Sequence, residues 1–260
     1  MSRLLLVTND DGYLARGVRS LARALEPLGE VFVVAPDREQ SATSHSLTLH
    51  HPLRVTKVSE RVYHVDGSPT DCVLLAVHGG ILPRRPDYVF SGINHGGNMG
   101  EDVTYSGTVA AAMEGTILGF PSVAISLVGG SELLLEAYEP VVTEIAAEIL
   151  SEPKDKPFPK DTLLNINLPD LPPERMKGIR IAPLGKRAYE DPVVTSTDPH
   201  GKTYCWIGGA EPTWRGAEDS DFRVVQEGYI SITPLHLDLT DYRTLKDLRK
   251  WESFSPHPAK

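Results

Sequence analysis

Leu4-Leu5-Leu6-Val7-Thr8-Asn9-Asp10-Asp11-Gly12 is the stretch whose reading decides the fold. A continuous apolar run that stops on an Asp-rich turn with glycine, and is followed by a helical pattern, reads as the first unit of a parallel α/β sheet. Ligands of such sheets bind beyond the carboxyl ends of the strands. Two adjacent carboxylates at that place repel unless a cation lies between them or one stays protonated, and a hard divalent metal is the simplest resolution. Taken alone, Asn-Asp-Asp-Gly serves equally well as a strand-to-helix turn, so the weight falls on what surrounds it.

Working outward, Val18, Leu21, Ala22, Leu25 and Leu28 recur at helical spacing and predict an amphipathic helix ending near Gly29. A second buried strand, Val31 to Ala35, opens into a hydroxyl-rich loop, Pro36 to Ser46, flanked by Arg38 and His45. Leu47 to Val65 alternate as β structure does, and Ser68-Pro69 starts a helix with Ser68 as cap. Tyr88-Val89-Phe90 is a strand leading into Ser91 to Asp102, where glycines and asparagines crowd together as they do where backbone approaches a ligand. Ser106-Gly107-Thr108 then opens a helix of small residues, and such an entrance offers free N–H groups, two hydroxyls and the positive dipole end to a phosphate. Ordinary capping explains Ser106 equally well in isolation.

Pro121 to Ser126 reads as a further strand, Leu133 to Leu150 as one long amphipathic helix, and Leu163 to Leu168 as a strand closed by Pro169. From there the character changes to strands and loops, with β segments at Ile179-Arg180-Ile181, Tyr204 to Ile207 and Tyr229 to Thr233. Tyr189, Tyr204, Trp206 and Trp214 fall in this part, a helix is expected from Tyr242 to Trp251, and Ser255 to Lys260 reads as a frayed tail. The expected architecture is a single α/β domain over 1–260: a Rossmann-like three-layer core with a mostly parallel sheet over 1–170, and a C-terminal β-rich extension over 171–260 that serves oligomerisation.

Composition limits the function classes. With 40% hydrophobic and 23% charged residues the 260-residue chain can bury a sizeable core without staples. Cys72 and Cys205 have no metal or redox spacing, and they fit a reducing compartment. The chain enters its first strand without a signal-peptide pattern and contains no membrane-length apolar run, so a cytoplasmic protein without a membrane partner is expected. A net charge of −9 argues against a nucleic-acid duplex partner, whose binding rests on neutralising phosphates.

Together these segments resemble the stationary-phase survival protein SurE family of metal-dependent nucleotidases. The likeness is carried by Val7 to Gly12, Val33 to Arg38 with Ser41, Gly67 to Val73, Ser91 to Asn94 with Gly97-Asn98, and Tyr105 to Val109. Asn165-Ile166-Asn167 and Glu227 to Leu235 continue it, in order, over nearly the whole length. The resemblance implies one divalent cation per subunit, Mg²⁺ or Mn²⁺, held by Asp10, Asp11, Ser41 and Asn94. It implies phosphate binding by Asn98, Ser106, Gly107 and Thr108, and hydrolysis of nucleoside 5′- and 3′-monophosphates, with polyphosphate trimming in some members. It also implies a homodimer or homotetramer built by exchange of C-terminal segments.

The residues themselves agree with that chemistry. Asp10 and Asp11, Ser41 and Asn94 stand at three strand ends, and all offer the oxygen that hard dications prefer. Asp10 or Asp11 would orient or deprotonate the attacking water, and the sequence leaves open which. Two rival readings remain: an aspartyl-phosphate phosphatase with Asp10 as nucleophile, and a nucleotide-binding sensor without chemistry. The first wants its second acid where Gly12 stands, and the second lacks both the P-loop and the dinucleotide fingerprint.

Overall fold

β1 (Leu4–Thr8) is buried on both faces along its whole length, as its unbroken apolar run requires. The computed structural model describes residues 2–129, 131–151, 158–188, 193–207 and 213–253. Along the chain β1 is followed by α1 (Arg16–Leu25), β2 (Glu30–Pro36), β3 (Val55–Ser59), β4 (Val62–Val65), α2 (Pro69–His78), β5 (Tyr88–His95), α3 (Gly107–Ile117) and β6 (Ser122–Leu127). Then come α4 (Glu132–Ala137), α5 (Glu139–Ser151), β7 (Thr162–Leu168), β8 (Ile179–Ile181), β9 (Lys186–Ala188), β10 (Val193–Thr197) and β11 (Thr203–Ile207). β12 (Thr213–Arg215), α6 (Asp221–Gln226), β13 (Ile230–His236) and α7 (Tyr242–Leu248) complete the elements used here.

Nine strands form the central sheet in the order β3-β4-β2-β1-β5-β6-β7-β13-β8. From β4 to β7 all neighbours are parallel, while β3 and β13 run antiparallel to β4 and β7. Alternation within β1 divides the core. Leu5 and Val7 pack with Val18, Leu21 and Leu25 of α1, with Tyr138 just before α5 and with Val142 of α5. Leu6 faces the opposite layer, with Cys72 and Val73 of α2 and Ala111 of α3. The winding reverses between β1 and β5, so the crevice between their carboxyl ends is where a ligand of this fold sits.

The structure corrects five expectations. Strand structure within Leu47 to Val65 is confined to β3 and β4. Upstream, the Thr48 N–H and hydroxyl donate to the Asp71 carboxylate at 2.9 and 2.7 Å instead of to a neighbouring strand. The same Asp71 closes a capping box with Ser68 at the start of α2. β5 runs on to His95, because a register shift between Ser91 and Asn94 carries its pairing with β6 past the glycine. The long helix from Leu133 is two helices, α4 and α5, and Pro140 marks the restart because it has no N–H to give to the preceding turn. β8 and β13 belong to the main sheet, so the projecting C-terminal β extension consists of the antiparallel pairs β10–β11 and β9–β12.

The last helix is also shorter than expected: α7 ends at Leu248 and a 3₁₀ turn spans Arg249–Ser253. Tyr189 and the tail from Ser255 lie outside the described residues. Cys72 is buried and Cys205 exposed, both as free thiols. Among the described residues no helix is long and apolar enough to cross a membrane.

Candidate active site

The end of β1 is built for close approach. Gly12 has φ +95°, and a Cβ there would meet the Arg38 backbone at 3.1 Å, so the turn after Asp11 needs glycine for both reasons. The Asn9 side-chain amide donates to the Gly12 carbonyl at 3.0 Å, and the Gln40 N–H donates to the Asp10 carbonyl at 2.7 Å. The turn after β1 is thereby bound to the loop that follows β2. On the other side the N-terminus of α3 abuts Asp10: a Cβ on Gly107 would lie 2.7 Å from the Asp10 Cβ. Ser106 caps this helix, its Oγ accepting from the Val109 N–H at 3.1 Å.

Asp10 is only 4% exposed, and the Thr108 hydroxyl donates to its Oδ1. Burial pushes the Asp10 carboxyl up to about 6, the charge of Asp11 adds to the rise, and the hydrogen bond from Thr108 opposes it. Burial also raises Asp11, opposed by the His95 N–H that donates to its Oδ2 at 3.3 Å. Both acids are therefore held above the usual carboxylate range, the state expected of carboxylates shaped to meet a cation.

A cavity of about 570 Å³ opens here, lined by Asp10, Ser41, Asn94, Asn98, Ser106 and Arg187 among others. Three separate strand ends and the mouth of α3 thus contribute to one space. Asp11, Gly107 and Thr108 stand outside its lining: Asp11 is tied to His95, Gly107 makes room for Asp10, and Thr108 is fully buried with its hydroxyl given to Asp10. Asn94 donates from Nδ2 to the Gly96 carbonyl at 2.8 Å, which leaves its oxygen as the end available to a ligand. Ser41 donates to Glu39 at 2.7 Å, which leaves its oxygen lone pairs for a cation.

These donors match the oxygen preference of Mg²⁺ and Mn²⁺. No group of three or more His, Cys, Asp or Glu able to hold a metal occurs among the described residues, so a cation here draws on neutral oxygens beside the two acids.

Asn98 has a support whose function the sequence did not reveal. Its N–H donates to Asn167 Oδ1 at 2.8 Å, and its carbonyl accepts from Asn167 Nδ2 at 3.0 Å and Asn165 Nδ2 at 2.7 Å. Its own Nδ2 donates to Ser126 at 2.8 Å. One amide side chain thus pairs with both backbone groups of Asn98, much as a neighbouring strand would. The available signal was two asparagines two positions apart in the otherwise apolar run of β7, hence on one buried face. Arg187, from the C-terminal extension, was also missed: its Nη1 donates to both carboxylate oxygens of Asp102 at 2.5 Å, and it forms part of the cavity wall.

Fold and site together define a doubly wound α/β protein whose ligand crevice sets a buried carboxylate, followed in the chain by a half-buried one, against a helix N-terminus. The profile described as Survival protein SurE matches residues 5–191, and the chain belongs to this family. It is 54% identical over 250 residues to the 5′-nucleotidase SurE of Gemmatimonas aurantiaca, covering 95% of this chain and 98% of that one. With the 5′-nucleotidase SurE of Geobacter sulfurreducens it shares 50% over 255 residues, covering 98% and 95%. The crystal structure of the SurE protein from Aquifex aeolicus superposes with a TM-score of 0.83 at 43% identity, over 96% of this chain and 99% of that one.

Proposed function

We propose that the chain is a 5′-nucleotidase, a divalent-cation-dependent phosphomonoesterase that hydrolyses nucleoside monophosphates to nucleoside and phosphate. The observation that carries this reading is the placement of buried Asp10, its carboxyl raised to about 6, against the N-terminal turn of α3 in a cavity shared with Ser41, Asn94 and Asn98. The relatives that bear the name 5′-nucleotidase over nearly the full length support the substrate class. Acceptance of 3′-monophosphates and polyphosphate is part of the same proposal.

Asp10, Asp11, Ser41 and Asn94 would hold the cation, Mg²⁺ or Mn²⁺, one per subunit. A bound dication supplies Lewis-acid stabilisation of phosphoryl charge and lowers the pKa of water. The chain's own groups do the remaining work. Ser106 and Asn98 line the cavity beside the helix end, where the hydroxyl and the amide can receive phosphate oxygens and the positive end of the helix dipole favours their charge. Thr108 acts through Asp10, fixing its carboxylate with a hydrogen bond, and Gly107 leaves the helix end open enough for that carboxylate to sit against it. Asp11, less buried and held by His95, would in this reading orient a water and accept its proton. Phosphomonoester hydrolysis is mainly positioning and charge stabilisation, and these residues provide both.

The 1–170 core and the 171–260 region work as one unit in this reading, since Arg187 reaches the cavity wall. A dimer or tetramer joined through the C-terminal segments is part of the proposal, supported by exposed Trp206, Ile207, Leu239, Leu245 and Trp251. The test is phosphate release from a panel of nucleoside monophosphates with Mg²⁺ or Mn²⁺. The proposal expects release that a chelator abolishes, and no release from any substrate with either metal would refute it.

A further inference from the structure

Glu114 lies in α3, Gly-Thr-Val-Ala-Ala-Ala-Met-Glu-Gly-Thr-Ile, a helix otherwise made of small, hydroxyl and apolar residues, and it is only 5% exposed. A carboxylate in such a place is expensive to keep without a partner. Its partner is His45, whose Nε2 donates to Oε2 at 2.9 Å across 69 positions of sequence. His45 belongs to the loop between β2 and β3, four residues after Ser41. Neither residue lines the cavity that holds Asp10 and Asn94.

That loop depends on docking for its shape. Ala42 and Ser44 have φ of 58° and 55°, a left-handed conformation that residues with a side chain adopt only when the surroundings fix it. The Ser41 hydroxyl donates to Glu39 within its own loop, so its position relative to Asp10 rests on how the loop is tied down at either end. On the near side the Gln40 N–H holds the Asp10 carbonyl. On the far side Ser44 donates from N and Oγ to the Tyr105 and Thr104 carbonyls at 3.1 and 2.7 Å, and His45 reaches the buried Glu114. Of the ties to α3 and the turn before it, the His45 pair alone joins two side chains; farther along the loop the Ser46 carbonyl and the Thr48 hydroxyl are held by Ser68 and Asp71 at the start of α2.

We infer that His45 and Glu114 form a latch that docks the Ser41 loop on α3 and so sets Ser41 beside Asp10 and Asn94. Both are positioning residues, and the functional half of the inference rests on the reading of Ser41 as a cation ligand. His45 is exposed, so its replacement removes no core side chain, and the cost falls on the Glu114 carboxylate that loses its partner. Removing a hydrogen bond to a charged group is expected to speed amide exchange at residues 42–46 about tenfold in His45→Ala, with the middle of α3 unchanged. Mn²⁺ affinity, measured by the electron paramagnetic resonance signal of the free ion, should weaken several-fold, roughly three- to tenfold. His45→Gln, whose amide can still donate to Glu114, should restore both.

Unchanged exchange at 42–46 in His45→Ala overturns the latch. Faster exchange with unchanged Mn²⁺ affinity overturns its link to the site. Ser41→Ala is the separate arm: if it leaves Mn²⁺ affinity at the wild-type value, the ligand reading fails and takes the functional half with it, whereas the exchange result still decides the docking.

Discussion

Asp10 meets conflicting demands, since the fold buries it among groups that lower its pKa too little to offset desolvation. An acid whose folded value, about 6, lies above its ordinary 3.8 is favoured in its protonated form by the fold. Its contribution to stability is complete below the ordinary value and is lost as pH climbs through the folded one. The chelator-treated protein should therefore lose thermal stability between about pH 4 and pH 6. Asp10→Asn keeps a hydrogen-bond acceptor for Thr108 without the charge. It should be more stable than the wild type at pH 7 by up to about 3 kcal/mol, converting the shift at about 1.4 kcal/mol per unit, while losing metal-dependent phosphate release. Thermal melts of both proteins across this range check the sign, and an Asp10→Asn melt below the wild type at pH 7 would contradict it.

At the same scale, Asn167→Ala would leave the buried Asn98 N–H unpaired, at a cost of about 1–3 kcal/mol. It should raise KM for phosphate esters, and chemical denaturation with steady-state kinetics would register both effects. That Asp10, Ser41, Asn94, Asn98 and Ser106 would face one space was legible, because each follows a strand or opens a helix, places that sequence pattern marks. The partnership of Thr108 with Asp10 and of Asn167 with Asn98 was not. A side chain's partner across 98 or 69 positions is fixed by how layers pack, which no local pattern encodes.

Among the elements, α3 shows how tightly packing sets the site. Gly107→Ala would drive a Cβ to 2.7 Å from that of Asp10, so either the helix end or the carboxylate must move. Overpacking of this kind typically costs about 1–3 kcal/mol. Displacement of a group the metal site depends on should cut kcat/KM by about a hundredfold or more. Kinetics and melting of this variant test the claim, and near-wild-type turnover would mean that Asp10 has slack the structure does not show. Gly17 is a parallel case, since a Cβ there would fall 1.9 Å from the Ile93 carbonyl and separate α1 from β5. Farther from β1, Asp221 accepts from the Gly100 and Gly185 N–H groups, each at 2.8 Å, and so couples α6 to the loop that carries Asn98.

The strands β1, β2, β6 and β7 and the caps of α2 and α3 could be read from sequence, because apolar runs and Ser-x-x patterns are local signals. The break between α4 and α5 could have been read from Pro140. The confinement of strand structure to β3 and β4 could not, because Asp71, which diverts Thr48, comes from another element.

For the molecule as a whole, winding outward from β1 in both directions puts Asp10 in the crevice of the sheet; the sequence marked the carboxyl end of the strand as the ligand side but not the order of the strands. What it did not imply was that β13 and β8 would extend the main sheet. Strand neighbours distant in sequence are chosen by tertiary pairing, and a short exposed segment such as Ile179–Ile181 reads alike at a sheet edge or in a hairpin. The exposed aromatic and aliphatic side chains of the C-terminal half predict self-association. Sedimentation at micromolar concentration should give a dimer or tetramer, and a monomer there would remove oligomerisation from the proposal.

The most direct test of the central claim is an anomalous difference map from crystals of the wild-type protein soaked in Mn²⁺. One peak per chain is predicted, with oxygens of Asp10, Asp11, Ser41 and Asn94 at coordinating distances of about 2.0–2.3 Å. A peak that none of these residues touches, or no peak at saturating Mn²⁺, would contradict it.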